Sequence, residues 1–204
     1  MEPQEKILKS ALELFFKNGI KRVTMDDIAK ELGMSKKTIY QYYDDKNKIV
    51  NQLCQLEVTR HEHRFNEIFQ TSENPIHEIM LISESLKQMM QNVNPIFFMD
   101  LQKYHTSSFE FIQTFKRDCA YKDIYRNIQQ GINDGLYRAE LDPHFVTTYR
   151  LAQIDNLMFG NIFSFEKISF SRAHELLLDL FIHSICTEKG LQLVEQYKNN
   201  IEQE

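Results

Sequence analysis

Between Thr24 and Lys48 the chain reads TMDDIAKELGMSKKTIYQYYDDKNK. Its segment from Lys36 to Tyr42 gathers amines, a hydroxyl, an amide and phenols around one aliphatic residue: Lys36, Lys37, Thr38, Tyr40, Gln41 and Tyr42 surround Ile39. These types suit the exposed edges of base pairs. Lys donates to guanine O6 and N7, Gln pairs with adenine N6 and N7, and Thr meets a thymine methyl. Tyr hydroxyls and helix N-termini suit phosphate oxygens. A solvated helix this short rarely needs adjacent lysines and clustered tyrosines. Lys46 adds a second signal. A cation at a helix start opposes the macrodipole, and a phosphate beside it would make the position tolerable.

Such a surface must be held by short, well-terminated elements. Leu32-Gly33-Met34-Ser35 separates two helical stretches, with Gly33 free to take the positive φ of a sharp turn and Ser35 placed to cap the next helix. Thr24 and Asp27 form a variant capping box at the preceding helix. Ile28, Leu32 and Ile39 share a small core, and Ala29 is small where two helices cross. This is the layout of a helix-turn-helix.

The rest of the chain shares one grammar. Asn74-Pro75, Asn94-Pro95 and Asp142-Pro143 each place a side-chain acceptor before a Pro at the first helical position. Apolar residues recur every three or four positions, without sustained alternation. The spacing predicts an all-α protein of nine or ten helices. They run over about 3–18, 25–32, 36–42, 46–72, 75–93, a short piece after Pro95, 107–134, 143–163, 172–186 and 188–199. Ser107 and Glu110 are expected to cap the seventh.

Residues 5–50 resemble the DNA-binding head of the TetR family of transcriptional regulators. The resemblance rests on Ile7, Ala11, Leu14, Phe15, Gly19, Thr24, Ile28, Ala29, Leu32-Gly33, Ser35-Lys36, Thr38-Ile39-Tyr40, Tyr42-Tyr43, Lys46 and Ile49. It implies a helix-turn-helix domain over residues 1–48 and a C-terminal helical ligand-binding and dimerisation domain over 49–204. It also implies a homodimer on double-stranded DNA, released from a palindromic operator by a small-molecule effector. Carried over by position, Lys36, Lys37, Thr38, Tyr40 and Gln41 resemble groove-facing residues, with Ser35 capping them. Thr24, Tyr42 and Lys46 resemble phosphate contacts. Lys37 stands where a small residue is common, Gln41 where Tyr or Arg is frequent, and Tyr43 replaces Phe; the first two bear on the operator sequence.

The body is rich in adaptable apolar side chains. Met89, Met90, Phe97, Phe98, Phe111, Phe115, Tyr121 and Tyr125 are candidates to line a pocket for an apolar or aromatic ligand. The eighth and ninth helices carry apolar residues on more than one side, so one side is expected to meet a second subunit. Leu157, Gly160, Asn161, Leu177, Phe181 and Ser184 are the candidate dimer contacts. A body that takes a protein partner instead of a ligand is the alternative, and a helical enzyme or carrier with a vestigial head is more remote.

Composition narrows the classes further. The net charge is −5, yet residues 1–50 carry ten Lys/Arg against eight Asp/Glu. The charge therefore changes sign between head and body, as suits a polyanion at the N-terminal end. The three cysteines, Cys54, Cys119 and Cys186, are too few for a disulfide framework and too far apart for a zinc knuckle. Cys54, Glu57 and His61 could share a helical face, but no HExxH accompanies them. No metal, cofactor, catalytic site or membrane span is expected, and the location is expected to be cytoplasmic.

Overall fold

The computed structural model describes residues 2–160 and 167–201, with the side chains of 199–201 excepted. Among the described residues there are eleven α-helices and no strand. They are α1 (Pro3–Asn18), α2 (Met25–Glu31), α3 (Lys36–Tyr42), α4 (Lys46–Thr71), α5 (Pro75–Gln91), α6 (Ile96–Tyr104), α7 (Thr106–Phe115), α8 (Tyr121–Asn133), α9 (Pro143–Phe159), α10 (Phe170–Ile185) and α11 (Glu188–Ile201). The all-α expectation holds. The signals at Asn74-Pro75 and Asp142-Pro143 work as capping predicts, with Pro75 and Pro143 opening α5 and α9, whereas α6 starts one residue later than expected, at Ile96, with Pro95 in the cap position. Asn74 Oδ1 accepts from Ile76 N and His77 N at 3.0 Å each, Asn94 Oδ1 from Ile96 N, and Asp142 Oδ1 from Phe145 N at 2.9 Å.

Two expectations need correction. The single helix expected over 107–134 begins at Thr106 and is interrupted by a π-helical turn, Lys116–Ala120, between α7 and α8. Ser107 does not cap it; its hydroxyl donates to Asn51 Oδ1 at 3.3 Å. The helix expected to reach Phe163 ends at Phe159, where Gly160 N bonds to Asn156 O. Asn161, Ile162 and Phe163 lie outside the described residues.

The chain packs as two units, residues 1–61 with 92–114 and residues 62–91 with 115–204. In the first, Ile7, Ala11, Phe15, Ile20, Ile28, Ile39 and Ile49 are buried together with Leu101 of α6. α6 is tied to α1 by Asn94 N donating to Phe16 O at 2.7 Å and by Phe97 set edge-on to Phe16. In the second, α5, α8, α9, α10 and α11 enclose Ile76, Met80, Ile128, Leu136, Tyr137, Val146, Leu178, Phe181, Ile182, Ile185 and Val194. A polar knot crosses this core. Glu78 accepts from both Arg126 amines and from Asn127 Nδ2, and the Tyr137 hydroxyl donates to Asn127 Oδ1 at 3.0 Å. Gly131 leaves the space that the Tyr137 ring occupies.

His174 of α10 is buried, with Nε2 and Ser83 Oγ 2.8 Å apart. Burial, and then the Arg150 charge, push its pKa down to about 4. An unfolded histidine titrates near 6.5. Between these values the unfolded chain binds more protons than the folded one, so stability falls as pH drops from about 6.5 towards 4. Urea unfolding is expected to give a lower midpoint at pH 5 than at pH 7. His174→Gln should flatten that dependence.

Candidate nucleic-acid interface

α2 and α3 are short helices whose ends are closed by their own side chains. Thr24 Oγ1 accepts from Asp27 N at 3.2 Å, while Asp27 Oδ2 accepts from Thr24 N and Thr24 Oγ1. These bonds hold the Asp27 carboxyl below its ordinary pKa. Gly33 turns the chain at φ +61°, and Met34 N closes back on Ala29 O at 2.9 Å. Ser35 Oγ then accepts from Thr38 N at 3.1 Å and lies 2.8 Å from the Thr38 hydroxyl. The caps and the turn glycine are those read from the sequence.

α3 gives one residue to the core. Ile39 is fully buried, whereas Lys36, Lys37, Tyr40, Gln41 and Tyr42 are exposed and Thr38 is half-buried. Large aromatic side chains gain by burial, so two of them left over 40% exposed on one seven-residue helix mark a surface built for contact. In the free protein Lys36 is not idle. Its ammonium pairs with Asp26 of α2 at 2.7 Å, which raises its pKa, and lies 6.0 Å from the Tyr40 ring centroid. Both members of the pair are exposed, so the pair is weak and exchangeable. The charge pattern could not reveal Asp26 as this partner, because the two residues meet only across the turn. Tyr43 faces inward, and its hydroxyl donates to Gln52 Oε1 at 2.9 Å. That bond explains a tyrosine where the family more often has Phe.

Lys46 is the main correction at this site. Its ammonium donates to Ile20 O at 2.7 Å, to Val23 O at 2.8 Å and to Lys21 O at 3.4 Å. All three N–H donors are committed to the backbone between α1 and α2, and burial lowers the pKa. No donor remains for a phosphate. Lys48, two residues on, is exposed and forms no ion pair among the described residues; its backbone N–H is received by Asp45, the cap of α4. Charge at a helix start was the legible signal, and in the free protein the ammonium it marks is held by backbone carbonyls.

The candidate pocket residues are divided between the two units. Phe97 and Phe98 pack edge-on to each other, with Phe97 against Phe16 of α1. Phe111 borders a hollow of about 250 Å³ lined also with Asn51, Gln55, Ser107 and Ser108. In the second unit Met90 is buried, and Met89 and Phe115 are half-buried. Tyr121 and Tyr125 flank His144 of α9, with the Tyr121 hydroxyl 2.7 Å from His144 Nδ1. Among the described residues no three His, Cys, Asp or Glu side chains are grouped to hold a metal, and no helix is long and apolar enough to cross a membrane.

Of the candidate dimer contacts, Leu157 and Phe181 are each only 1% exposed, covered by their own chain, and cannot present themselves to another. Leu177 and Gly160 are half-buried, Ser184 is exposed and donates to Phe181 O, and Asn161 lies outside the described residues. The outward apolar residues are others: Phe145 and Tyr149 on α9, stacked at 6.4 Å, and Leu176 and Leu180 on α10.

Residues 7–53 match the family described as bacterial regulatory proteins, tetR family. Over 159 residues the chain is 24% identical to the HTH-type transcriptional regulator YvaF of Bacillus subtilis (strain 168), covering 72% of this chain and 83% of that one. It is 23% identical over 150 residues to the HTH-type transcriptional repressor KstR2 of Mycolicibacterium smegmatis, covering 70% and 71%. The crystal structure of a TetR-family transcriptional regulator from Marinobacter aquaeolei VT8 superposes with a TM-score of 0.74 at 19% identity, over 97% of this chain and 99% of that one. Residues 7–53 are thus a tetR-family DNA-binding head, the chain as a whole has the fold of a TetR-family regulator, and the protein is a DNA-binding transcriptional regulator.

Proposed function

We propose that the protein is a cytoplasmic, non-catalytic repressor that binds a near-palindromic operator as a homodimer and releases it when the body takes up a small molecule. The observation that carries the DNA-binding part is α3: one buried residue, five exposed groups able to read or hold a duplex, and caps that fix its direction. In the complex, Lys36, Lys37, Thr38, Tyr40 and Gln41 meet the major groove, with Lys36 exchanging Asp26 for DNA. Thr24, Tyr42 and Lys48 meet phosphates. Two copies of α3 then fall one helical turn apart, about 34–36 Å.

The outward pair of stacked rings on α9 and the exposed leucines on α10 supply the dimer face. A second copy fits it because the face is self-complementary in chemistry, as a two-fold interface requires. Repression follows the character of the relative KstR2, a repressor by name. Release by ligand needs an effector that binds the DNA-free arrangement more tightly, since a ligand shifts an equilibrium only by its differential affinity.

The experiment is selection of bound duplexes from a random pool, followed by binding of the recovered site to variants. Lys37→Ala and Gln41→Ala are each expected to cost about 1–3 kcal/mol on that site and to relax preference at one base pair. Equal loss on all sequences would instead make these side chains backbone contacts.

A further inference from the structure

Among the described residues Arg150 carries a charge with no opposite charge paired to it. It points from α9 into the body and is 5% exposed. Its guanidinium lies over the Phe181 ring, 5.0 Å from the centroid, and its one hydrogen bond, from Nη1 to Gln153 Oε1, is long at 3.4 Å. Among the described residues no carboxylate pairs with it. Glu78 is taken by Arg126, Glu175 by Lys87 and Arg172, Asp179 by Lys198, and Asp155 by Lys116. Burial lowers the Arg150 pKa to about 10, and no neighbouring anion opposes the shift. The group therefore stays charged at neutral pH.

Beside it stand two buried neutral groups from other helices, His174 of α10 and Ser83 of α5, bonded to each other. The Arg150 charge helps to keep His174 neutral. Three helices thus contribute a guanidinium, an imidazole and a hydroxyl, and the carboxylate that acts on His174, Glu175, is already held by Lys87 and Arg172. Burying an ion is costly unless it is paired, and a contact with one aromatic face offsets only part of that cost. Packing alone would be served better by an aliphatic side chain.

We propose that Arg150, with Ser83 and His174 beside it, receives an anionic oxygen group, a carboxylate or phosphate, of an otherwise apolar effector. The proposal rests on the ligand-responsive reading above and adds the effector's chemical class. The guanidinium fork offers parallel N–H donors to two oxygens. Ser83 and His174, bonded to each other, add polar groups beside the fork, and Phe181 packs against it. The effector is amphiphilic, which the Met and aromatic residues of the sequence do not disclose.

The test uses the full chain with octanoate, octyl phosphate, octan-1-ol and inorganic phosphate as probes at constant ionic strength. Calorimetry and thermal unfolding are read on wild type, Arg150→Met and Arg150→Lys. Octanoate or octyl phosphate should bind and raise Tm, while octan-1-ol, with the same tail, should do so far less. Whichever octyl anion binds better identifies carboxylate or phosphate as the preferred group. Arg150→Met should bind either anion at least about tenfold more weakly, with Arg150→Lys in between. Equal binding to wild type and Arg150→Met overturns the proposal. So does preference for octan-1-ol, or absence of binding by any octyl probe to wild type. If Arg150→Met does not fold, the wild-type ranking of the three octyl probes decides. Duplex binding measured in parallel keeps the two readings apart: a wild type that binds octyl anions but no DNA at low salt sinks the regulator reading and spares this one.

Discussion

Leu180→Glu is expected to give a folded monomer that no longer holds its operator at concentrations where wild type is saturated. Leu180 is 67% exposed on α10, next to Leu176 on the same face, and across α9 stand Phe145, 70% exposed, and Tyr149. Substitution of an exposed residue changes the stability of its own chain little, within about 0.5 kcal/mol. At a two-fold interface, however, the carboxylate enters twice and faces an apolar surface without a partner. Loss of the dimer turns a two-site grip into a one-site contact. Affinity for the full operator should fall about 10²- to 10⁴-fold, while affinity for an isolated half-site stays near its wild-type value. Sedimentation velocity and titration of full and half operators read the two effects separately. A variant that remains dimeric, or that loses half-site affinity as well, would place the interface elsewhere.

The way this prediction differs from the sequence reading shows what periodicity carries. α10 contains Leu176, Leu177, Leu178, Leu180 and Phe181. A helix apolar on more than one side does not reveal which stripe faces its own core, because neighbouring residues that point about 100° apart are equally hydrophobic. Phe181 and Leu178 turned out to belong to the interior and Leu180 to the surface. In α3 the same inference succeeded, because Ile39 is the only aliphatic residue in seven and leaves one possible orientation. The caps at Thr24, Ser35, Asn74 and Asp142 and the turn at Gly33 were legible for a related reason: each is decided by residues within four positions. What needs partners distant in sequence was not. α6 joining α1 through Asn94 and Phe16, Arg150 facing Phe181, and the π-helical turn at Lys116–Ala120 leave no local trace.

Lys46 is the sharpest instance, and its variants separate two kinds of lysine. Lys46→Met keeps the stem and removes the ammonium, leaving three acceptors, Ile20 O, Lys21 O and Val23 O, without their donor. Hydrogen bonds to a charged group contribute about 1.5–3 kcal/mol, and buried acceptors left unpaired add a cost of their own. The bond from Lys21 N to Asp100 Oδ2 at 2.7 Å remains and ties down part of the same segment, so a loss of about 3 kcal/mol in unfolding free energy is expected rather than collapse. If the cation stays on these carbonyls in the complex, the slope of log K against log salt should not change, and operator affinity should recover when the temperature is lowered enough to restore folding. Lys48→Ala should do the reverse, leaving stability unchanged within about 0.5 kcal/mol and reducing the salt slope by about one unit. Chemical denaturation and a salt series on both variants check this. If Lys46→Met lowers the slope by the amount expected of Lys48→Ala, the ammonium leaves its carbonyl cage when DNA arrives, and the assignment to the frame of the head fails.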